Sequence, residues 1–579
     1  GQPITQAHAA QKGTVLRRLN RQEYENTIND LFGTNLDLVS LLPEDGRSHE
    51  FENVGEALSI SMVQLNRYLE AIDLALETSI TDTVGRPKSQ TKRVSYADTR
   101  EAERFLGSVW LKRPDGAVVF FKSGGYPSGM CRDANVRESG RYKIRIKGYA
   151  YQSDKPITFA VGSTTFQRGA ERPTYGYYSF PPDQPKVIEV DAWIKDRYMV
   201  EVTPYGINDR NNEIRNKGLK NYKGPGLAIQ YIELEGPIQE EFPSRGHRLV
   251  FEGLTRREIE PRNPNDKKRP WYKPRFEVVS SNPTRDAATV LQRIASRAFR
   301  RPATEEQTAP FVTLFQSQMD DGAKFEAALR TSVAAIFCSS DFLYLRESPG
   351  KLDDYALATR LAYFLTRTLP DEELLAVAKL GQLSRDPKVL AAQTERLLND
   401  PRSERFIEDF TDAWLNLRDI EFTSPDRNLF PEFDQFLQFS MLAETRTFWR
   451  ELIEKNLGVT NIVQSDFAML NNRLADHYGI AGVEGPDIRR VPLRKGSERG
   501  GFLSQGAVLK VSANGTNTSP VVRGVWVAER ILGETPPPPP PGVPGVEPDI
   551  RGAKTLREIL AKHRDSDNCR ACHQKIDPP

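Results

Sequence analysis

The spacing of apolar positions divides the chain into helical and strand-like stretches. Over residues 14–33 (TVLRRLNRQEYENTINDLFG), Leu16, Leu19, Tyr24, Ile28 and Leu31 recur near helical spacing, which predicts a helix stopped by Gly33. A second helix is predicted over 61–77, with Leu65, Tyr68, Leu69, Ile72 and Leu76 on one side; residues 43–53 read as a loop. Around residue 95 the pattern changes. Segments 117–121, 141–147, 156–161, 187–194 and 198–204 are short, rich in β-branched and aromatic residues and separated by turn residues, closing near 226–237 (GLAIQYIELEGP). They predict an all-β sandwich over 95–240. Residues 241–282 are basic and proline-interrupted and read as an irregular connector. Helical spacing then returns, predicting helices at 284–300, 305–319, 323–338, 353–367, 371–379, 387–398, 402–418 and 433–455, with Asp353, Pro370, Asp371 and Ser403 placed as starts and caps.

Residues 490–533 mix glycine, serine and apolar segments, with a helix predicted at 520–532. Six prolines at 536–541 must be extended polyproline II, and a final helix is predicted at 555–564. The expected organisation is therefore an N-terminal helical domain (1–94), the β module (95–240), the connector (241–282), a helical domain (283–485) and the C-terminal segment (486–579). In fold class this is a multidomain, mainly α-helical chain with an inserted all-β sandwich, jelly-roll and carbohydrate-binding-module-like.

Composition narrows the function. At 579 residues the chain is too long for one ordinary domain. Lys and Arg number 80 against 78 Asp and Glu, a net charge of +2, so no global argument remains for nucleic acid or an anionic membrane. No apolar run approaches the roughly 20 residues a membrane helix needs. Four cysteines cannot staple a disulfide scaffold of this size, so they act locally. The chain begins at Gly1 and not at Met, which predicts a processed product.

Two of those cysteines stand in Cys569-Arg570-Ala571-Cys572-His573, a C-x-x-C-H. In c-type haem attachment the two thiols add to the haem vinyl groups and the adjacent His is the proximal iron ligand. From this chain's own residue frequencies, about 3 chance matches are expected per 10,000 such chains. A disulfide or half a zinc site would use the same thiols. Zinc would need two further ligands, and the remaining thiols, Cys131 and Cys338, fall in different segments. One covalent haem c, matured outside the cytoplasm, is the expected cofactor, which predicts a periplasmic, secreted or cell-surface protein. Only six residues follow His573, so a distal ligand from this chain must lie upstream. His563 is the nearest candidate, four residues after Ile559 on the apolar face of the 555–564 helix; the six methionines are others.

Several stretches now resemble a known family: LRRLNRQEYENTINDLFG (16–33), FENVGEALSIS (51–61), RAFRRPAT (297–304), AIFCSSDFLYLRE (335–347), LDDYALATRLAYFLTRTLPDEELL (352–375), RGGFLSQGAVL (499–509) and TSPVVRGVW (518–526). With the polyproline and CRACHQKIDPP, they resemble the planctomycete-type secreted multidomain proteins of unknown function that carry cytochrome-c-like CxxCH segments. The resemblance implies secretion and haem but no established reaction. Such proteins usually continue past the IDPP and often carry an N-terminal cytochrome domain. The β module is similar in pattern to the carbohydrate-binding-like sandwiches often inserted in them.

Further candidates follow from residue chemistry. Trp110, Tyr175, Tyr177, Tyr178 and Trp193 of the β module offer rings that could stack on sugars, or fill its core. Tyr175–Tyr178 is the favoured surface platform, because adjacent strand residues cannot all point inward. Arg499 and Arg523, in glycine- and serine-flanked motifs, match haem propionates or serve as loop and helix caps. The basic run 256–275 fits an acidic polymer or a solvated connector. Cys338, in an apolar helix, reads as a buried free thiol. No Walker loop, HExxH or G-x-S-x-G occurs. Two readings follow: an exported c-type haem protein for electron transfer or oxidative chemistry at an extracellular polysaccharide, with a redox protein as partner; or a non-catalytic carbohydrate-binding or cell-surface assembly protein with a structural CxxCH. Whether the chain is an enzyme, and its oligomeric state, stay open.

Overall fold

The computed structural model describes residues 15–536 except 49, 81–84, 87, 101, 123–128, 208–210, 270, 271, 273, 348–349 and 517–519, together with residue 558. The predicted 555–564 helix, nearly all of the proline run, and Cys569, Cys572, His573 and His563 lie outside the described residues. The chain is mixed α and β and divides into two compact units. The first comprises 1–153, 160–176 and 182–406; the second comprises 154–159, 177–181 and 407–579.

The first unit begins with a strand where helix was expected. β1 (Val15–Arg18) pairs antiparallel with β14 (Tyr344–Glu347), and Leu16 is 55% exposed. Helix α1 (Arg21–Phe32) starts only after Asn20. The Asn20 side chain accepts from the Glu23 N–H and the Glu23 carboxylate accepts from the Asn20 N–H, a reciprocal cap that fixes the start. Gly33, in the left-handed region, ends the helix as expected. Helix α2 (Met62–Ser79) has the same kind of start, with Ser61 and Gln64 capping each other.

Eleven further strands, β2 to β12, follow in chain order. Gln90–Val94, Trp110–Lys112, Val118–Phe120, Met130–Asn135, Gly140–Tyr151, Ile157–Thr164, Thr174–Phe180, Lys186–Ile194, Met199–Pro204 and Gly226–Ile238 are β2 to β11, and Thr255–Glu258 is β12. One sheet of six strands runs β3-β4-β11-β6-β9, with β2 also on β11; another runs β5-β10-β7-β8. The sheet thus begins at Gln90, a little before the expected boundary. Along β6 buried residues alternate with Arg141, Lys143, Arg145 and Lys147. Register places Arg145 opposite both Glu189 and Glu233, and it pairs with them at 2.8 and 3.0 Å, so the polar face is a cross-strand charge ladder.

The connector is more regular than its composition suggests. β12 pairs with β13 (Phe276–Val279). Part of its basic run is paired with acids: Arg257 with Glu277 at 2.6 Å, Lys267 with Glu260 at 2.8 Å, and Arg256 with Glu326 at 3.2 Å while lying over the Phe251 and Phe276 rings. Each of these three bases therefore has an acid partner, two of them within the connector itself.

Helices α3 (Pro283–Ala298), α4 (Glu305–Asp320), α5 (Phe325–Phe337) and α6 (Asp354–Leu365) follow close to the expected bounds, with Asn282, Thr304 and Asp353 accepting first-turn N–H groups. One core joins Tyr24, Ile28 and Phe32 of α1 and Tyr68 and Ile72 of α2 to Leu291, Ile294, Val333 and Phe337. Residues 15–80 and 283–345 are therefore one body, and the sheets are an insertion into it. At its edge Arg18 is 1% exposed, pairs with the buried Asp45 and donates to Tyr68 Oη at 2.7 Å.

The second unit is built on α7 (Glu404–Trp414, from residue 407 onward), α8 (Gln435–Glu454), β15 (Phe467–Leu470), α9 (Asn472–Tyr478), β16 (Arg489–Pro492), α10 (Gly506–Val511) and α11 (Pro520–Val527). β15 and β16 pair antiparallel. Trp526, Phe448, Phe467, Phe502 and Leu437 share its core.

Candidate functional site

The α8 helix carries Leu437, Met441, Glu444 and Phe448 on its buried face. Glu444 is the exception in that apolar stripe. Its carboxylate accepts from Tyr478 Oη at 2.6 Å and from the Gly506 N–H at 3.2 Å. Full burial pushes its pKa up to about 7, against the opposing pull of these two hydrogen bonds and of Arg499. Tyr478 stands at the end of α9, where Gly479 stops the helix. The Gly506 N–H also donates to Tyr478 Oη at 2.7 Å.

Two glycines of the RGGFLSQGAVL stretch make this approach possible. A Cβ on Gly501, whose φ is 75°, would lie 2.6 Å from the carbonyl oxygens of Ile462 and Val463. A Cβ on Gly506 would lie 2.7 Å from Met441 Cγ and 2.8 Å from Tyr478 Oη. Bare backbone at these positions lets the 499–506 loop close over α8 and α9.

The loop, α9, α10 and α11 enclose a cleft of about 260 Å³. Its walls include the apolar Phe430, Phe433, Leu437, Met441 and Leu509, and Arg499, Lys510, Arg523, His477, Tyr478 and the acid Glu432 also line it. The Arg499 guanidinium sits 3.4 Å from the centre of the Tyr478 ring and donates to the Ser504 carbonyl at 2.8 Å. Arg523 Nε donates to Ser512 Oγ at 3.4 Å. Lys510 is 8% exposed; its ammonium donates to the carbonyls of Ile420 and, at 2.8 Å, Thr423. Burial lowers the pKa of Lys510, with Glu421 opposing, and burial lowers that of Arg523. Burial also lowers that of His477, against Glu432, which lies 4.0 Å from its Nδ1. Apolar walls beside cations suit an apolar group that carries a carboxylate.

The cleft brings Arg499 and Arg523 together, although 23 positions separate them in the sequence. The aromatic candidates separate. Trp110 is 2% exposed, packed edge-on against Tyr96 and Phe120, and offers no face for stacking. Tyr177 is 9% exposed and stacks on Phe436 of α8 at 4.4 Å, within the second unit, so the expected 175–178 platform is not presented whole. The alternation of β8 turns Tyr177 onto a neighbour that pattern alone could not reveal. Tyr178 is half-buried near Phe159. Tyr175 and Trp193 do meet: in the first unit they line a cavity of about 550 Å³ with Asp37, Glu171, Asp191 and Lys195, and Tyr175 Oη lies 2.6 Å from Ser163 Oγ.

Cys131 is buried and Cys338 partly so, and burial pushes both thiols up to about 12, which keeps them protonated. Among the described residues no cluster of three His, Cys, Asp or Glu side chains suits a metal ion, and no helix is long and apolar enough to cross a membrane. Lys510, Glu444, His477 and Tyr478 escaped sequence reasoning. Only Glu444 left a signal, an acid on the apolar stripe of a helix.

Four family models match the chain, all described as proteins of unknown function. They are DUF1587 (PSD3) over 17–81, DUF1595 (PSD5) over 286–347, DUF1592 (PSD4) over 352–480 and DUF1588 (PSCyt3) over 499–579. In this order they support a multidomain protein of the planctomycete-type unknown-function class. No curated protein matches. Among solved structures, a TNF named Eiger from S. frugiperda is matched with 14% identity and a TM-score of 0.13, over 26% of this chain and 88% of that one.

Proposed function

We propose that the chain is an exported c-type haem protein, with haem joined to Cys569 and Cys572 and ligated by His573, acting in electron transfer or oxidative chemistry at an extracellular polysaccharide. The observation that carries this is the CxxCH inside 499–579, the segment that matches DUF1588 (PSCyt3). The same segment contributes Arg499 and Arg523 to one apolar cleft, where they are suited to hold propionates. When bound, the haem supplies a one-electron iron couple. The protein's own groups supply an apolar wall that limits water, guanidinium charge that favours the carboxylates, and a buried acid, Glu444, able to hold or release a proton near neutral pH. The β module, read as a jelly-roll sandwich, would present the polysaccharide site.

A pyridine haemochrome spectrum on protein matured with the c-type machinery tests this. A haem spectrum that survives acid–acetone extraction supports it, and its absence sinks it. His563 stays the nearest candidate for the distal ligand; His563→Ala should move the Soret band towards high spin, and an unchanged spectrum would remove it. The cavity shared by Tyr175 and Trp193 favours the second reading, a carbohydrate-binding or surface-assembly protein with a structural CxxCH. Glycan binding by protein without titratable haem would select it.

A further inference from the structure

We infer that the cleft of the second unit is a binding site for a carboxylate borne on an apolar body, with Arg499, Lys510 and Arg523 as the groups that receive it. The haem reading is deepened by this but not required for it: the carboxylates can come from the propionates of the chain's own haem or from a free amphiphile.

Lys510 carries the argument. The residue is more than nine-tenths buried, and its ammonium has three N–H donors, of which the Ile420 and Thr423 carbonyls take two, with the centre of the Phe433 ring 5.5 Å from Nζ. Carbonyl dipoles solvate a cation but do not neutralise it, and the acid whose charge acts on the buried Lys510 is Glu421. The acids around the cleft are Glu421, Glu432, which lines it, and Glu444. Glu421 accepts from Gln438 at 2.9 Å, Glu432 faces His477, and Glu444 is hydrogen-bonded to Tyr478 and Gly506. Arg499 sits over the Tyr478 ring with one N–H on the Ser504 carbonyl, and its guanidinium fork has five N–H donors in all. The apolar walls decide the rest. A small hydrated anion gains nothing from Phe430, Phe433 and Leu509, whereas an anion on a hydrophobic body buries them.

Calorimetric titration of the full chain with laurate tests the site, in two forms: matured with haem, and as the Cys569→Ser/Cys572→Ser variant that cannot attach it. The attachment-deficient form should bind one laurate per chain. Lys510→Met and Arg523→Gln should each weaken binding roughly tenfold, the loss of a charge-assisted contact, and dodecanol should bind far more weakly than laurate. If Lys510→Met does not fold, Arg523→Gln alone decides. Haem-loaded protein that excludes laurate assigns the carboxylates to its own propionates, whereas equal binding by both forms assigns them to a free ligand. Failure of the attachment-deficient form to bind, or equal affinity for dodecanol, overturns the inference. Laurate binding in a chain that never acquires haem sustains the site while removing the haem reading.

Discussion

Glu444 shows how one side chain ties stability to pH. Its pKa is 4.5 when exposed and about 7 when folded, so below pH 4.5 the acid is protonated in both states and costs nothing. As pH rises from there to 7, the unfolded chain ionises first and stability falls, by on the order of 3 kcal/mol, until the folded group ionises too. Glu444→Gln should flatten that part of the profile, measured as the denaturation midpoint between pH 4 and 8; a variant as pH-sensitive as the parent would place the titration elsewhere. Arg18 makes the opposite case, a buried ion with a full set of partners. Arg18→Met strands Asp45 without its counter-charge and should cost about 3–5 kcal/mol in urea unfolding. The burial of Arg18 was not visible locally, since it stands between leucine and arginine neighbours that look like a surface helix, whereas Glu444 stands on an apolar stripe.

At the scale of elements, local rules carried far. Caps and periodicity placed most of the helices between 283 and 454 within about two residues, because an Asp or Thr that accepts a first-turn N–H acts within its own turn. They failed at 15–18, where pairing with residues 344–347 overrides a helical pattern. The 499–506 loop depends on its glycines. Gly501→Ala, forced to a positive φ and against two carbonyls, should destabilise the second unit by about 2 kcal/mol or more. Chemical denaturation followed by Trp fluorescence reads this, and a neutral result would show that the loop relaxes. Asn20→Ala removes one half of the α1 cap and should cost about 1 kcal/mol.

At the scale of the molecule, the first and second family segments are not independent. Tyr24, Phe32 and Ile72 complete a core with Leu291, Val333 and Phe337. A fragment beginning at residue 283 should therefore lack half its core and fail to unfold cooperatively, whereas a chain that joins 15–80 to 283–406 by a short linker should fold; thermal circular dichroism distinguishes the two. What the amino-acid order determined alone was whatever acts within a few residues: helix periods and caps, the run of short strands, the charge balance and the CxxCH. Only the tertiary structure decided that Trp110 and Tyr177 are buried, that Arg256, Arg257 and Lys267 of the basic connector meet acids, and that Arg499, Lys510 and Arg523 converge on one cleft. Burial and charge pairing depend on partners tens to hundreds of positions away, and no local pattern encodes which of them will meet.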